Sequence, residues 1–242
     1  MSDPIYVMGD IHGQIGQLDT ALDLIAADGG AQARMVSLGD LVDRGPDSRA
    51  VIETLLQGQK SGRDWIVVKG NHDRMFQRFL ADGRVHDPRI LSGADWLHSR
   101  LGGAATLLSY GVAGVHRRPA ADLQAEARAL VPPDHIAFLE NLPLWHQVRD
   151  LLFVHAGIAP GIALPDQAED DLLWIRQPFH DHDDPHPHLV VHGHTALDAP
   201  VHYGNRVNLD SGAGYGRPLT VAVFENGHVW TLGPQGRTAL QP

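Results

Sequence analysis

The chain has 242 residues, 43% of them hydrophobic, which suits one globular domain with a sizeable core. It contains no cysteine, and this excludes disulfide frameworks, thiolate metal sites and cysteine nucleophiles. A formal net charge of -10 argues against broad nucleic-acid binding, and no window approaches the roughly 18 unbroken apolar residues that would cross a bilayer.

The opening stretch "MSDPIYVMGD" enters a strand-like run at once and leaves no room for a signal peptide, so the cytoplasm is the expected location. Three short apolar runs, "IYVMGD", "RMVSLGD" and "WIVVKGN", read as buried strands ending in glycine or a polar residue. Between the first two, Ile15, Leu18, Leu22 and Ile25 recur at helical spacing until "DGG" stops them. Between the second and third, "PDSRAVIETLL" opens with proline near a helix N-terminus and carries Val51, Ile52, Leu55 and Leu56. Such alternation of strand and helix marks a sheet covered by helices. From about residue 74 to about residue 150 the pattern changes to helical pieces broken by "LGG", "SYG" and "VPP". Strand-like runs return in "LLFVHA", "LVVHGHT", "RVNLDS" and "LTVAVFENGHVWTL", the last with "NG" as a hairpin signal. The expectation is one α/β domain over residues 1–242 with a helical insertion.

In open α/β folds, ligands bind beyond the carboxyl ends of the strands. The residues placed there are Asp10 and His12 in "GDIHG", then Asp40, Asp43 and Arg44 in "GDLVDRG", then Asn71 and His72 in "GNHDR". Later ends add His155, His192, His194 and Asp210. So many carboxylates and imidazoles converging on one crevice would lack partners unless they held metal. Asp10 and His12 can reach one ion, Asp40 can bridge it to a second, and Asn71, His155 and His194 can complete the second site. Oxygen and imidazole donors suit Mn²⁺, Fe or Zn²⁺ better than Ca²⁺. Two ions sharing a carboxylate lie roughly 3.5–4 Å apart and turn a bridging water into a hydroxide nucleophile. Asp43 is too far along its turn to join them. It is assigned to orienting His72, the proton donor to the leaving alkoxide, and Arg44 to gripping phosphoryl oxygens. A structural Asp43–Arg44 salt bridge is the competing reading.

These motifs resemble the phosphoprotein phosphatase family of metallophosphoesterases, whose marks GDxHG, GDxVDRG and GNH[ED] stand in order at Gly9–Gly13, Gly39–Gly45 and Gly70–Asp73. "HAGI" with His155, "LLWIR" with Arg176, "GHT" at Gly193–Thr195 and "NLDSGAGYG" extend the match. "WLHSRLGGAATLLSYG" and "HIAFLENLPL" resemble the bacterial, phage-lambda-like branch. The resemblance implies a central β-sandwich flanked by helices with a dinuclear site at one edge. It implies Asp10, His12, Asp40, Asn71, His155 and His194 as metal ligands and His72 with Asp43 as the acid pair. It further implies Arg44 and Arg176 as phosphate-binding arginines, and Tyr215 as a nearby aromatic. Arg176 rests on the resemblance alone. The expected activity is a serine/threonine protein phosphatase with two divalent ions, Mn²⁺ or else Fe or Zn²⁺. Its partner is a phosphorylated protein or peptide, with no nucleic acid and no membrane. "GNHD" and "HAGI" also occur in diadenosine tetraphosphate hydrolases, which keeps symmetrical hydrolysis of that dinucleotide as the alternative.

His192 reads as structural, and His98, His116, His135 and His146 as structural or exposed. Trp96 and Trp145 read as core anchors of the insertion. "HDHDDPHPH" at residues 180–188 reads as a solvated loop, or as an extra metal site or lid. Arg117 and Arg118 read as a surface turn, or as a basic rim for acidic peptides.

Overall fold

The computed structural model describes residues 3–242, so the first two residues of "MSDPIYVMGD" lie outside it. Strand β1 (Ile5–Met8), helix α1 (Ile15–Gly29), β2 (Arg34–Ser37), α2 (Ser48–Lys60) and β3 (Trp65–Val67) follow the alternation expected from the apolar runs. Four helices come next, α3 (Asn71–Asp82), α4 (Gly103–Ser109), α5 (Ala120–Leu130) and α6 (Pro133–Glu140). The remainder holds β4 (Trp145–Val148), β5 (Leu151–Val154), α7 (Glu169–Trp174), β6 (Leu189–His192), β7 (Val201–His202) and β8 (Arg206–Asn208). It ends with β9 (Val221–Glu225), β10 (His228–Gly233) and β11 (Gly236–Ala239). The "NG" at Asn226–Gly227 joins β9 to β10 as an antiparallel hairpin.

The strands form two sheets, one of six in the order β11-β10-β9-β1-β2-β3 and one of five in the order β4-β5-β6-β8-β7. Strand alternation sorts the side chains into layers. Ile5, Val7, Val36 and Leu38 from the first sheet meet Phe153, Val191 and Val207 from the second in a buried inter-sheet layer. Tyr6, Met8 and Met35 face the other way, against Leu18 and Ile25 of α1 and Val51, Ile52 and Leu55 of α2. On the far side of the second sheet, Leu152, Val154 and Val190 are covered by Leu172 of α7 together with Ile175 and Phe179. The architecture is the expected helix-flanked β-sandwich.

Local differences have physical causes. Asn71 and His72 are not on an extended strand end but in the first turn of α3. There the Asp73 carboxylate accepts the Gly70 N–H at 2.9 Å and the Leu41 N–H at 2.9 Å, which caps the helix and ties it to the loop after β2. Trp96 is fully buried against Phe76 and Phe79, as an anchor should be. Trp145 is not a core anchor. It lies 36% exposed on β4, an edge strand whose alternate residues face outward. His135 is buried, with Tyr110 Oη 2.8 Å from its Nδ1 and Glu53 2.6 Å from its Nε2. The histidine-rich loop is solvated, with five of its nine residues exposed and none buried, but its backbone is tied down. Arg206 donates to the His180 and His182 carbonyls, and Asn205 to those of His182 and Asp184.

The inter-sheet layer gives a first test. Phe153 is fully buried and meets Phe224 edge-on at 6.3 Å. Phe153→Ala is expected to cost about 3–5 kcal/mol, read as a lower urea midpoint at unchanged m-value. A loss below about 1 kcal/mol would mean that this layer does not hold the sheets together.

Candidate metal centre and its cavity

Each sheet has three neighbouring parallel strands, β1, β2 and β3 in one and β5, β6 and β8 in the other. The loops leaving these six strands meet at one seam. The His155 Nδ1–H donates to the Leu38 carbonyl at 2.8 Å, and the His194 N–H reaches both Asp10 carboxylate oxygens at 3.2 Å. Contact is close enough that a Cβ on Gly193 would lie 2.0 Å from Asp10 Oδ1. Gly39 adopts φ 90°, and a Cβ there would stand 2.5 Å from the Gly70 nitrogen. Seven non-glycine residues have left-handed backbone among the described residues, and His12, Asp40, Asp43, Arg44 and His194 are five of them. Such conformations cost about 1–3 kcal/mol each and persist where the surroundings over-determine them.

Asp40 is the centre of the cluster. Two groups of side chains have the spacing to hold a cation, His12–Asp40–His72 and Asp10–Asp40–His155, and Asp40 belongs to both. Its Oδ2 lies 3.5 Å from His12 Nε2, and its Oδ1 lies 3.4 Å from His155 Nε2 and accepts the His72 N–H at 2.9 Å. Asn71 Oδ1 is 2.8 Å from His155 Nε2 and 2.9 Å from His194 Nδ1. All six expected ligands therefore come together, and His72 also stands among them.

The electrostatics of this cluster fit a cation. Burial, reinforced by Asp210 and Asp40, raises the Asp10 carboxyl well above the usual range, and burial also raises Asp40 and Asp210. Burial lowers His155 to about 4 and takes His12 and His194 well below their ordinary value, which leaves the rings neutral with lone pairs to offer. Because His12 Nδ1 donates to the Val42 carbonyl at 2.8 Å, its Nε2 is left as the acceptor, and the Arg44 guanidinium meets it there. In His155 the same logic turns Nε2 toward the Asn71 amide oxygen, so two lone pairs face each other. His194 Nε2 is buried without a hydrogen-bond partner. A divalent ion among the Asp40, Asn71 and imidazole donors relieves the carboxylate crowding and the facing lone pairs, and the oxygen and imidazole donors suit Mn²⁺, Fe or Zn²⁺.

Beside the cluster, Asp43 Oδ2 contacts His72 Nδ1 at 2.7 Å. Two residues of the helical region hold Asp43, with Trp96 Nε1 donating at 2.7 Å and Thr106 Oγ1 at 2.6 Å. Burial raises Asp43 to about 7 and lowers His72 to about 3, so it opposes charge separation in this pair, while the Thr106 and Trp96 donors favour the carboxylate. Neither Trp96 nor Thr106 was legible in sequence as a site residue, since they lie 53 and 63 positions from Asp43. The Arg44 guanidinium reaches His12 Nε2, sits 3.2 Å from His72 Nε2 and stacks 4.6 Å from the Tyr215 ring centroid. No Asp43–Arg44 salt bridge forms among the described residues, which removes that competing reading. His192 is buried, edge-on to Phe179 at 5.1 Å, and lines no part of the cavity.

The cluster opens into a cavity of about 640 Å³. Asp40, Asn71, His72, His194 and Asp210 line one side of it, and Arg44 and Arg176 also face it. Asp210 accepts the Gly212 N–H at 2.8 Å. Its place after β8 was readable, but its pressure on Asp10 was not.

The calcineurin-like phosphoesterase family profile matches residues 3–229. The chain is 26% identical to the asymmetrical bis(5'-nucleosyl)-tetraphosphatase PrpE of Bacillus mycoides over 237 residues, 88% of this chain and 87% of that protein. It is 28% identical to serine/threonine-protein phosphatase 1 of Salmonella typhimurium over 238 residues, 90% of each. The crystal structure of a cold-active protein-tyrosine phosphatase from a psychrophilic Shewanella has the same fold, with a TM-score of 0.64 at 17% identity over 100% of this chain and 81% of that one. With the family pattern spanning nearly the whole sequence, the chain belongs to the calcineurin-like phosphoesterases, the metal-dependent class to which its strand-end motifs pointed.

Proposed function

We propose that the chain hydrolyses phosphate monoesters, foremost phosphorylated serine and threonine in proteins or peptides, working in the cytoplasm as one catalytic domain over residues 1–242. The observation that carries this reading is the buried Asp43–His72 pair standing directly beside the shared Asp40. That pair is what a monoester needs, because its alkoxide leaving group is poor without a proton.

Asp10, His12 and Asp40 would hold one divalent ion, and Asp40, Asn71, His155 and His194 the other, with Mn²⁺ foremost. Bound there, the ions would supply Lewis-acid charge and an acidified water at neutral pH. Arg44 and Arg176 would orient the phosphoryl group through bidentate contacts to its oxygens. His72, held by Asp43, would pass a proton from Nε2 to the leaving oxygen, and Trp96 and Thr106 would keep Asp43 in place to restore it. Tyr215 would limit the swing of Arg44 by stacking.

A second reading is the symmetrical hydrolysis of diadenosine tetraphosphate. It is favoured by three further arginines in the cavity, Arg89, Arg100 and Arg217, more positive charge than one phosphoryl group requires. Both readings have support among the relatives, since one is named a serine/threonine-protein phosphatase and another, matched over 57% of this chain, a symmetrical bis(5'-nucleosyl)-tetraphosphatase.

The deciding experiment compares kcat/KM of manganese-reconstituted protein on a phosphothreonine peptide and on diadenosine tetraphosphate. Preference for the peptide is the expected outcome. A preference of about 100-fold for the dinucleotide, or about 2.7 kcal/mol, would overturn it in favour of the second reading. His72→Asn is expected to retain metal while kcat falls by about 100-fold or more with little change in KM. Undiminished activity would remove His72 as the acid. Asp40→Ala is expected to deplete both ions, and His12→Ala only one, as read by metal analysis of the purified proteins. Equal depletion by the two variants would contradict the shared-ligand assignment.

A further inference from the structure

Five arginines line the cavity of a protein whose net charge is -10, against two lining carboxylates, Asp40 and Asp210. The proposed chemistry uses Arg44 and Arg176. Arg217 is paired with Asp198. Arg89 and Arg100 remain, both exposed and both on the segment between α3 and α4.

Neither of these two guanidinium groups has a hydrogen bond or ion pair among the described residues, although their backbone N–H groups do. Their neighbours behave differently, since Arg74, Arg78, Arg84 and Arg118 are each paired with a carboxylate. The carboxylate nearest to Arg89 in sequence, Asp87, is occupied by Arg74 and Arg78. Asp87 also fixes the turn that carries Arg89, by accepting the Arg89 N–H at 2.9 Å. The turn that carries Arg100 is fixed at its far side, where the Gly102 carbonyl accepts the Arg44 N–H at 3.3 Å. Ile90, Leu91 and Leu101 line the same wall, and Leu91 is 97% exposed. The cavity lining thus offers two unneutralised planar cations on anchored turns together with aliphatic side chains, a combination that suits an anion at the end of a partly apolar substrate.

Building on the proposed phosphomonoesterase site, we propose that Arg89 and Arg100 form a second anion subsite that recognises a negatively charged group on the leaving-group side of the substrate. That group is either the next phosphate of a polyphosphate chain or an acidic side chain beside a phosphorylated residue. In both sources the ligand is an oxyanion beyond the scissile phosphoryl group. Arg44 and Arg176 hold the reacting end, and the two arginines of the helical region select what is attached to it. Binding energy from this remote contact appears in kcat/KM for substrates long enough to reach it.

The test uses the metal-loaded protein and the double variant Arg89→Ala/Arg100→Ala. The substrates are p-nitrophenyl phosphate, diadenosine tetraphosphate, and a phosphothreonine peptide with flanking glutamates beside the same peptide with glutamines. The expected result is a loss of kcat/KM, mostly through KM, at least tenfold larger on one anionic substrate than on p-nitrophenyl phosphate. The double lysine variant should recover part of it. A loss confined to the dinucleotide identifies the anion as phosphate, and a loss confined to the glutamate peptide identifies it as carboxylate. A proportional loss on every substrate, or none on any, overturns the subsite. Calorimetric binding of tripolyphosphate against inorganic phosphate reads the subsite without turnover, with at least tenfold weaker tripolyphosphate binding expected in the variant. Absence of wild-type activity on all four substrates would defeat the phosphomonoesterase reading while leaving this binding test intact.

Discussion

The structure depends on one electrostatic constraint, the burial of Asp10, Asp40 and Asp210 together at the seam between two sheets. Asp40 and Asp210 make Asp10 harder to ionise, Asp210 does the same to Asp40, and the nearby imidazoles are themselves driven neutral by burial. Apolar packing alone gives no reason to gather such groups, because an uncompensated buried charge is expensive. A divalent cation converts the same crowding into a favourable donor set. The surrounding backbone is built to hold the crowding in place. Asp40, whose carboxylate is common to both donor groups, has a left-handed φ of 50° beside the close Gly39–Gly70 contact. The inter-sheet layer of Phe153, Val191 and Val36 keeps the two sets of strand ends in register across the seam.

The helical region between β3 and β4 has a different part. No ligand of the proposed metal pair comes from it beyond Asn71, at the very start of α3. It supplies the donors that hold Asp43, Trp96 and Thr106, and it accepts the Arg44 N–H on Gly102. It also carries Arg89, Leu91, Arg100 and Leu101 along the cavity wall. On the proposed assignments, metal binding is thereby separated from proton delivery and from substrate selection. The first is a property of the strand ends, and the other two pass through one segment whose anchors, Trp96 among Phe76 and Phe79 and Asp87 between Arg74 and Arg78, are fully used in packing and pairing. A change of specificity can therefore be made in that segment without touching the metal ligands.

Legibility in the sequence followed the same division. The strand ends were readable because four of them carry glycine followed by a carboxylate, an amide or an imidazole, at Gly9–Asp10, Gly39–Asp40, Gly70–Asn71 and Gly193–His194, and because β1, β2, β5 and β6 are short buried runs with few alternative readings. The six proposed ligand positions were likewise local features of their motifs. The edge strands β4, β7 and β11 escaped, since they are exposed or half-buried and their stability comes from pairing rather than from an apolar pattern. Trp145 was misassigned for that reason. The roles of Trp96 and Thr106 were invisible because a hydrogen bond across more than fifty residues leaves no periodic trace. Arg176 followed from the family motif alone, and the cavity lining now gives it a physical place.

The same reasoning bears on why two substrate readings compete on one chain. In the proposed roles the metal cluster acts on a phosphoryl group and the Asp43–His72 pair on its leaving oxygen, atoms that both substrates have, and the pair favours phosphothreonine only because its poor alkoxide depends more on a proton. Further discrimination must come from contacts beyond those atoms, since interactions shared by both substrates cannot separate them. In this cavity the contacts within reach are the arginines and leucines of the helical region, together with Arg217, whose charge is already shared with Asp198. Among the cavity arginines that the proposed chemistry does not use, Arg89 and Arg100 are thus the two whose charge is not committed elsewhere in the described structure. On the proposed reading, the strand-end motifs carry the chemistry, and two arginines outside every one of those motifs carry the choice of substrate.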